Sequence, residues 1–291
     1  MNRFCSDSCQ ELDMNVHAKK MMVWSVRILI ALSLITAMPA YADPFDHEHS
    51  AWNLLVKNHV HWNLNRTASQ VDYSGLQGTH DFLKRYLFNI SAVSRTEFDS
   101  FSRDQQLAFL INAYNAFTVE LILTDYPDLK SIKDLGSFFS SPWKKRFFLL
   151  LGESQSLDGI EHDLIRGSGR YNEPLIHFAV NCASIGCPAL LDEAFTAEKL
   201  EQQLLVSTQR FLKDRSRNRF DANAGFLEVS SIFNWYADDF TKGWRGYDSL
   251  QDFFRTHADW ITSDKEDAER LVEGPLRIDF LDYDWGLNSL P

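Results

Sequence analysis

The sequence predicts an α+β fold, mainly helical, with a small and mostly antiparallel sheet around a buried central helix at about 104–124. Three observations carry this expectation. Residues Asp104 to Thr124 are apolar on nearly every helical face, through Leu107, Phe109, Leu110, Ile111, Tyr114, Phe117, Leu121 and Ile122, and a helix apolar all round is normally buried. Helical periodicity dominates the rest of the chain. Strand signals are short and arrive as hairpins rather than in βαβ alternation, which favours antiparallel pairing.

The N-terminal segment reads as an export signal. Lys19, Lys20 and Arg27 precede an apolar run from Ile28 to Met38, followed by Ala40-Tyr41-Ala42. A positive region, a short apolar core and a small-x-small site are the parts of a secretory signal peptide. Cleavage is expected after Ala42, leaving a single globular domain at 43–291 in the periplasm or outside the cell. The polar stretch before Met21 is long for a signal, so Met14, Met21 and Met22 are alternative starts. The rival reading is an uncleaved anchor, against which the apolar run is short.

Within the domain, Ser50 to His61 places Trp52, Leu55, Val56 and His59 on one helical side, and Thr79 to Asn89 reads as a second helix. Ser94 can cap a short third, with Glu97 at the capping-box position. The central helix follows and Pro127 ends it. Arg146 to Leu157 suggests a hairpin turning at Gly152-Glu153. Thr196 to Lys213 is amphipathic through Leu200, Leu204 and Phe211. Phe220 to Val229 suggests a second hairpin turning at Asn223-Ala224-Gly225. Ser231 to Phe240 and Ser249 to His257 read as helices, and Leu276 to Tyr283 closes the sheet.

Composition narrows the partners. Residues 1–42 carry four of the 29 basic and three of the 40 acidic side chains, so the remainder has a net charge of about −12. That balance disfavours a phosphate-backbone partner, so no nucleic acid is expected. No stable membrane span is expected once the signal is removed. Cys5 and Cys9 leave with the signal, so Cys182 and Cys187 remain. In an oxidising compartment a close pair tends to join.

Chemistry-bearing residues concentrate between Leu157 and Leu190. Leu157-Asp158-Gly159-Ile160-Glu161-His162 is followed by Ile176-His177-Phe178-Ala179-Val180-Asn181-Cys182 and then Gly186-Cys187-Pro188. As a strand or as a helix, 176–182 puts His177 on a face with Asn181, so His177 reaches Cys182 only if the backbone turns. A thiol nucleophile at Cys182 needs a base to lower its pKa, and His162 or His177 can serve. Glu161 neighbours His162 in sequence, yet adjacent side chains diverge on a helix. The bland alternative has Asp158 capping a short helix, Glu161 in its positive first turn and His162 at the surface. A Cys182–Cys187 disulfide closes a short loop and contributes about 2 kcal/mol in the entropy model. Spacing matches no standard zinc pattern, so neither metal nor cofactor is expected. On the central helix, Asn112 and Asn115 stand three apart. Buried amides require partners, so they either orient a histidine or carbonyl or bracket a neighbouring backbone. Ser231 to Phe240 combines aromatic and acidic residues; Phe233, Tyr236 and Phe240 are expected to face inward, with a groove rim as the functional alternative.

These blocks, in this order, resemble the family called domain of unknown function 547: Asn112-Ala113-Tyr114-Asn115, Leu157-Asp158 with Ile160-Glu161-His162, His177-Phe178-Ala179 with Asn181-Cys182 and Cys187-Pro188, then Phe233, Trp235-Tyr236, Asp239-Phe240 and Tyr283-Asp284-Trp285 with Leu287-Asn288. The resemblance covers about 104–288. It implies no activity, because the family has none assigned. Some relatives look fused to glutaredoxin-like modules; this chain has no such module and no C-x-x-C.

Two functional expectations follow. One is an exported thiol hydrolase or acyl-transfer enzyme, with Cys182 as nucleophile, His162 or His177 as base, Glu161 beside them, and Asn112 or Asn115 as the orienting or oxyanion group. The other is an exported binding module with a structural Cys182–Cys187 disulfide. The partner is accordingly a peptide, a glycan or an acyl substrate.

Overall fold

The computed structural model describes residues 44–137 and 140–290; the expected signal peptide at 1–42 lies outside them. Trp52, Leu55 and Val56 form the buried side of α1 (Ser50–His59). That helix stops two residues before the expected His61, because Val60–Trp62 (β1) turns extended and pairs antiparallel with Ser69–Val71 (β2). Next come α2 (Tyr73–Gly78), absent from the sequence reading, α3 (His80–Ala92) and α4 (Arg95–Ser100). Ser94 Oγ accepts from the Glu97 amide, as its position suggests.

The central helix, α5, spans Arg103–Leu123. Ser102 starts it with a closed capping box: Ser102 Oγ accepts from the Gln105 amide, and the Gln105 side chain accepts from the Ser102 amide. Every residue from Gln106 to Val119 is buried. By length and hydropathy α5 could cross a membrane, but 94% of its apolar window is buried inside the protein. It packs against α3 and against a π-helical turn, Gly159–Arg166.

The first hairpin is β3 (Phe148–Leu150) and β4 (Glu153–Gln155), with Leu149 opposite Ser154. Its loop residues Leu151 and Gly152 both have positive φ, 54° and 82°, matching the turn that fits strand twist. A 3₁₀ helix, Pro174–Phe178, stands where a strand was considered. Pro174 sits at its start and Glu173 accepts from the Leu175 amide. Then follow α6 (Leu200–Leu212), β5 (Asn218–Asp221), β6 (Phe226–Ser230), α7 (Ile232–Trp235), a 3₁₀ turn at Ala237–Phe240, α8 (Leu250–Thr256), α9 (Ala258–Ile261), α10 (Lys265–Glu273) and β7 (Arg277–Leu281).

The fold is α+β with mainly helical content and small sheets. Strand β6 pairs antiparallel with β5 but parallel with β7. The parallel pair departs from the hairpin pattern because four helices lie between β6 and β7. A second apolar focus gathers Phe178, Phe211, Phe233, Phe240, Phe253 and Phe254, all fully buried. The C-terminal tail docks by backbone bonds from Leu287 N to Lys130 O and from Asn288 N to Ala183 O. This docking brings Tyr283 and Trp285 to the same side as the cysteines.

Candidate functional site

A cavity of about 150 Å³ lies where the π-helical turn, the 177–188 segment, α7 and the tail converge. Its lining includes Glu161, His162, His177, Cys182 and Cys187. Aromatic side chains from four segments wall it: Tyr114, Trp143, Trp235, Tyr236, Tyr283 and Trp285.

Cys182 and Cys187 are joined as a disulfide, with Cα atoms 6.1 Å apart. The loop closes through Ala183, whose φ is 61°. Gly186 N donates to Asp284 O at 2.8 Å, and Ile185 N to Gly286 O at 2.7 Å. A Cβ on Gly186 would lie 2.9 Å from the Tyr283 ring, so only glycine allows this approach. Tyr283 Oη lies 2.9 Å from Ser184 Oγ and 3.1 Å from Cys182 Sγ. The joined Cys182 therefore carries no thiolate, which the nucleophile reading requires.

His177 sits near the end of the 3₁₀ helix and is 2% exposed. Its predicted face partner Asn181 turns elsewhere: Asn181 Nδ2 donates to Pro188 O at 2.7 Å, and Asn181 Oδ1 accepts from Ala183 N at 2.9 Å. The partner of His177 is Asp239, 62 residues away, with Nε2 to Oδ2 at 2.9 Å. Asp239 also accepts from Arg166 Nε at 2.5 Å and from Lys242 Nζ at 2.9 Å. Burial alone would raise the Asp239 carboxyl; the bonds from His177, Arg166 and Lys242 outweigh it and hold the group well below the usual carboxylate range. Asp239 is thus a carboxylate, and His177 donates to it from Nε2–H. Burial lowers the His177 pKa despite the Asp239 bond and the Glu161 charge. The ring is neutral, and Nδ1 is left as a lone pair.

Glu161 and His162 diverge as adjacent helical residues should. Glu161 is 4% exposed, while the His162 ring is more than a third exposed. His162 Nδ1 accepts from Arg166 at 2.8 Å, and its Nε2 lies 3.9 Å from Asp158 Oδ1. Asp158 makes no cap bond, unlike the expected capping role, because it already lies in helical conformation and Ser156 Oγ accepts from the Gly159 amide. Burial raises the Asp158 carboxyl above its ordinary range. Tyr236 stacks on His177 with ring centroids 3.8 Å apart and lies under Arg166 at 4.9 Å. Burial and the neighbouring Glu161 carboxylate push its phenol up.

Asn112 and Asn115 do not line the cavity. Asn112 brackets Phe195, donating to its carbonyl at 2.7 Å and accepting from its amide at 3.0 Å. Asn115 donates to Ala179 O at 3.0 Å and accepts from Asn181 N at 2.8 Å. Both ends of both amides are engaged, so the oxyanion role is replaced by the bracket. Asp239, Tyr236 and Tyr283 are the site residues that sequence reasoning did not assign. The aromatic-acidic pattern of 231–240 signalled Tyr236 and Asp239, and the family-like block Tyr283-Asp284-Trp285 signalled Tyr283. Among the described residues no three His, Cys, Asp or Glu side chains converge as a metal set.

The two brackets, the π-helical turn, His177 and the disulfide all fall in one continuous stretch. Residues 98–212 match the family described as protein of unknown function, DUF547. The DUF547 match supplies the cavity's floor and its disulfide. Trp235, Tyr236, Asp239, Tyr283 and Trp285 come from beyond it. No curated protein and no solved structure matches this chain.

Proposed function

We propose that this chain acts after export as a binding module whose aromatic cavity takes the end of a peptide or glycan, with the Cys182–Cys187 disulfide clamping the wall. The observation that carries the reading is the disulfide itself, set in the wall of that cavity and braced by the tail through Gly186 and Tyr283. Aromatic walls suit such ligands, since Trp and Tyr offer large contact area with few rotatable bonds. Joining the cysteines across so short a loop restrains the segment that carries one side of the cavity.

A second reading has its own support. His177, oriented by Asp239 with a free Nδ1, is arranged as a general base, and Cys182 lines the same cavity. A thiol hydrolase would need a dithiol reductant. The dithiol would become a disulfide, while Cys182 and Cys187 took up its two electrons and two protons. Mass mapping of the two cysteines in protein taken from its own compartment tests the choice. A linked pair is expected, and a free Cys182 thiol overturns the binding-module reading.

A further inference from the structure

Two buried polar atoms on the cavity floor have no partner: Glu161 Oε1 and His177 Nδ1. They stand 3.9 Å apart, too far for a hydrogen bond between them. Both are acceptors. His177 spends its one N–H on Asp239, so Nδ1 presents a lone pair, and the Glu161 carboxylate has no hydrogen to give. Two facing lone pairs in a buried site are costly unless a shared donor lies between them.

Charge bookkeeping points the same way. Arg166 and Lys242 are committed to Asp239. Among the described residues neither Glu161 nor Asp158 has a lysine or arginine ion-pair partner, and both line the cavity. The walls are aromatic, and one already holds an ammonium: Lys133 Nζ lies 3.6 Å from the Trp285 ring centroid. Aromatic faces attract cations. About 150 Å³ accommodates an ammonium with a short alkyl stem, not a whole large ligand.

We propose that Glu161 Oε1 and His177 Nδ1 form a two-acceptor seat for a primary ammonium, so that the cavity takes an alkylamine end such as a lysine side chain of a peptide. A primary ammonium has three N–H donors and can bond both atoms at once. A quaternary ammonium has none and leaves both unpaired. A neutral alkyl end leaves both atoms unpaired and brings no positive charge to the carboxylate. The inference rests on the binding-module reading and specifies its ligand.

The test titrates the oxidised, full chain with three probes: Nα-acetyl-lysine methylamide, its ε-trimethyl form and Nα-acetyl-norleucine methylamide. Tryptophan fluorescence reads binding, because Trp143, Trp235 and Trp285 wall the cavity. The lysine probe is expected to bind at least tenfold more tightly than either other probe. Glu161→Gln is expected to abolish that preference, with circular dichroism confirming its fold. The wild-type comparison stands alone should that variant not fold. Equal binding of lysine and norleucine probes overturns the ammonium seat while leaving a binding module. Equal binding of the trimethyl probe overturns the two-acceptor geometry. No binding by any probe overturns the ammonium seat, and a glycan and peptide panel on the same sample then decides whether the binding-module reading falls with it.

Discussion

Replacing Asn115 with leucine should be one of the more damaging single changes in this protein, although it swaps one side chain for another of similar size. Asn115 is 2% exposed. Its amide satisfies the Ala179 carbonyl at 3.0 Å and the Asn181 N–H at 2.8 Å. Leucine fills the space but satisfies neither, and each buried backbone group left unpaired costs about 1–3 kcal/mol. Leucine recovers part of this through apolar burial, so the net loss is set at about 3 kcal/mol. For a domain of this size that lowers Tm by roughly 6–12 °C. Urea unfolding at constant m-value, together with a thermal melt, measures it. The change should also loosen the 179–182 segment that leads into the disulfide, so Cys182–Cys187 should reduce faster under dithiothreitol. A Tm within 1 °C of wild type would refute the bracket and with it the mechanism that positions the cavity floor.

Acid should weaken the fold well before carboxylates titrate. Burial lowers His49 to about 3 and His257 to about 4, against an ordinary value of 6.5. The unfolded chain therefore binds protons that the folded chain refuses. Stability is complete above pH 6.5 and falls as pH drops toward 4, on the order of 2 kcal/mol per histidine by pH 5. Melts at pH 7.5 and 5.0 check it, and a Tm that rises on acidification contradicts it. Asp239→Asn removes the buried carboxylate that faces His177, Arg166 and Lys242, and breaking a buried pair from one side costs about 3–5 kcal/mol. Urea unfolding of that variant reads the loss, and a cost under 1 kcal/mol would mean the cluster is solvated.

The central helix was legible because all-round apolarity leaves a helix no place but the interior. Its asparagines were legible as buried amides in need of partners, though the identity of those partners depended on loops 64 and 83 residues away. Hairpin turns could be read from Gly152 and Gly225, both at positive φ. The parallel pairing of β7 could not, because four helices separate it from β6 and register across such a gap is tertiary. The Pro174 helix carried a readable start, proline after a capping Glu173, which the alternating look of 176–182 obscured. Glu161, His162, His177 and Cys182 were singled out as candidates from their clustering in sequence, and the structure places all four at one cavity. Asp239 stood in a family-like block yet received no role, because its partners Arg166 and His177 lie 73 and 62 residues away. Only the approach of Arg166 and His177 makes it a buried acceptor.

The central claim is that the cavity wall is held by an oxidised Cys182–Cys187 pair rather than armed with a thiol. Rapid alkylation of native protein from its own compartment, followed by reduction, second-label alkylation and peptide mass mapping, tests it directly. The account predicts that neither Cys182 nor Cys187 takes the first label and that both take the second. Fast first labelling of Cys182, slowed by His177→Ala, would contradict the account and place a reactive thiol beside a histidine base.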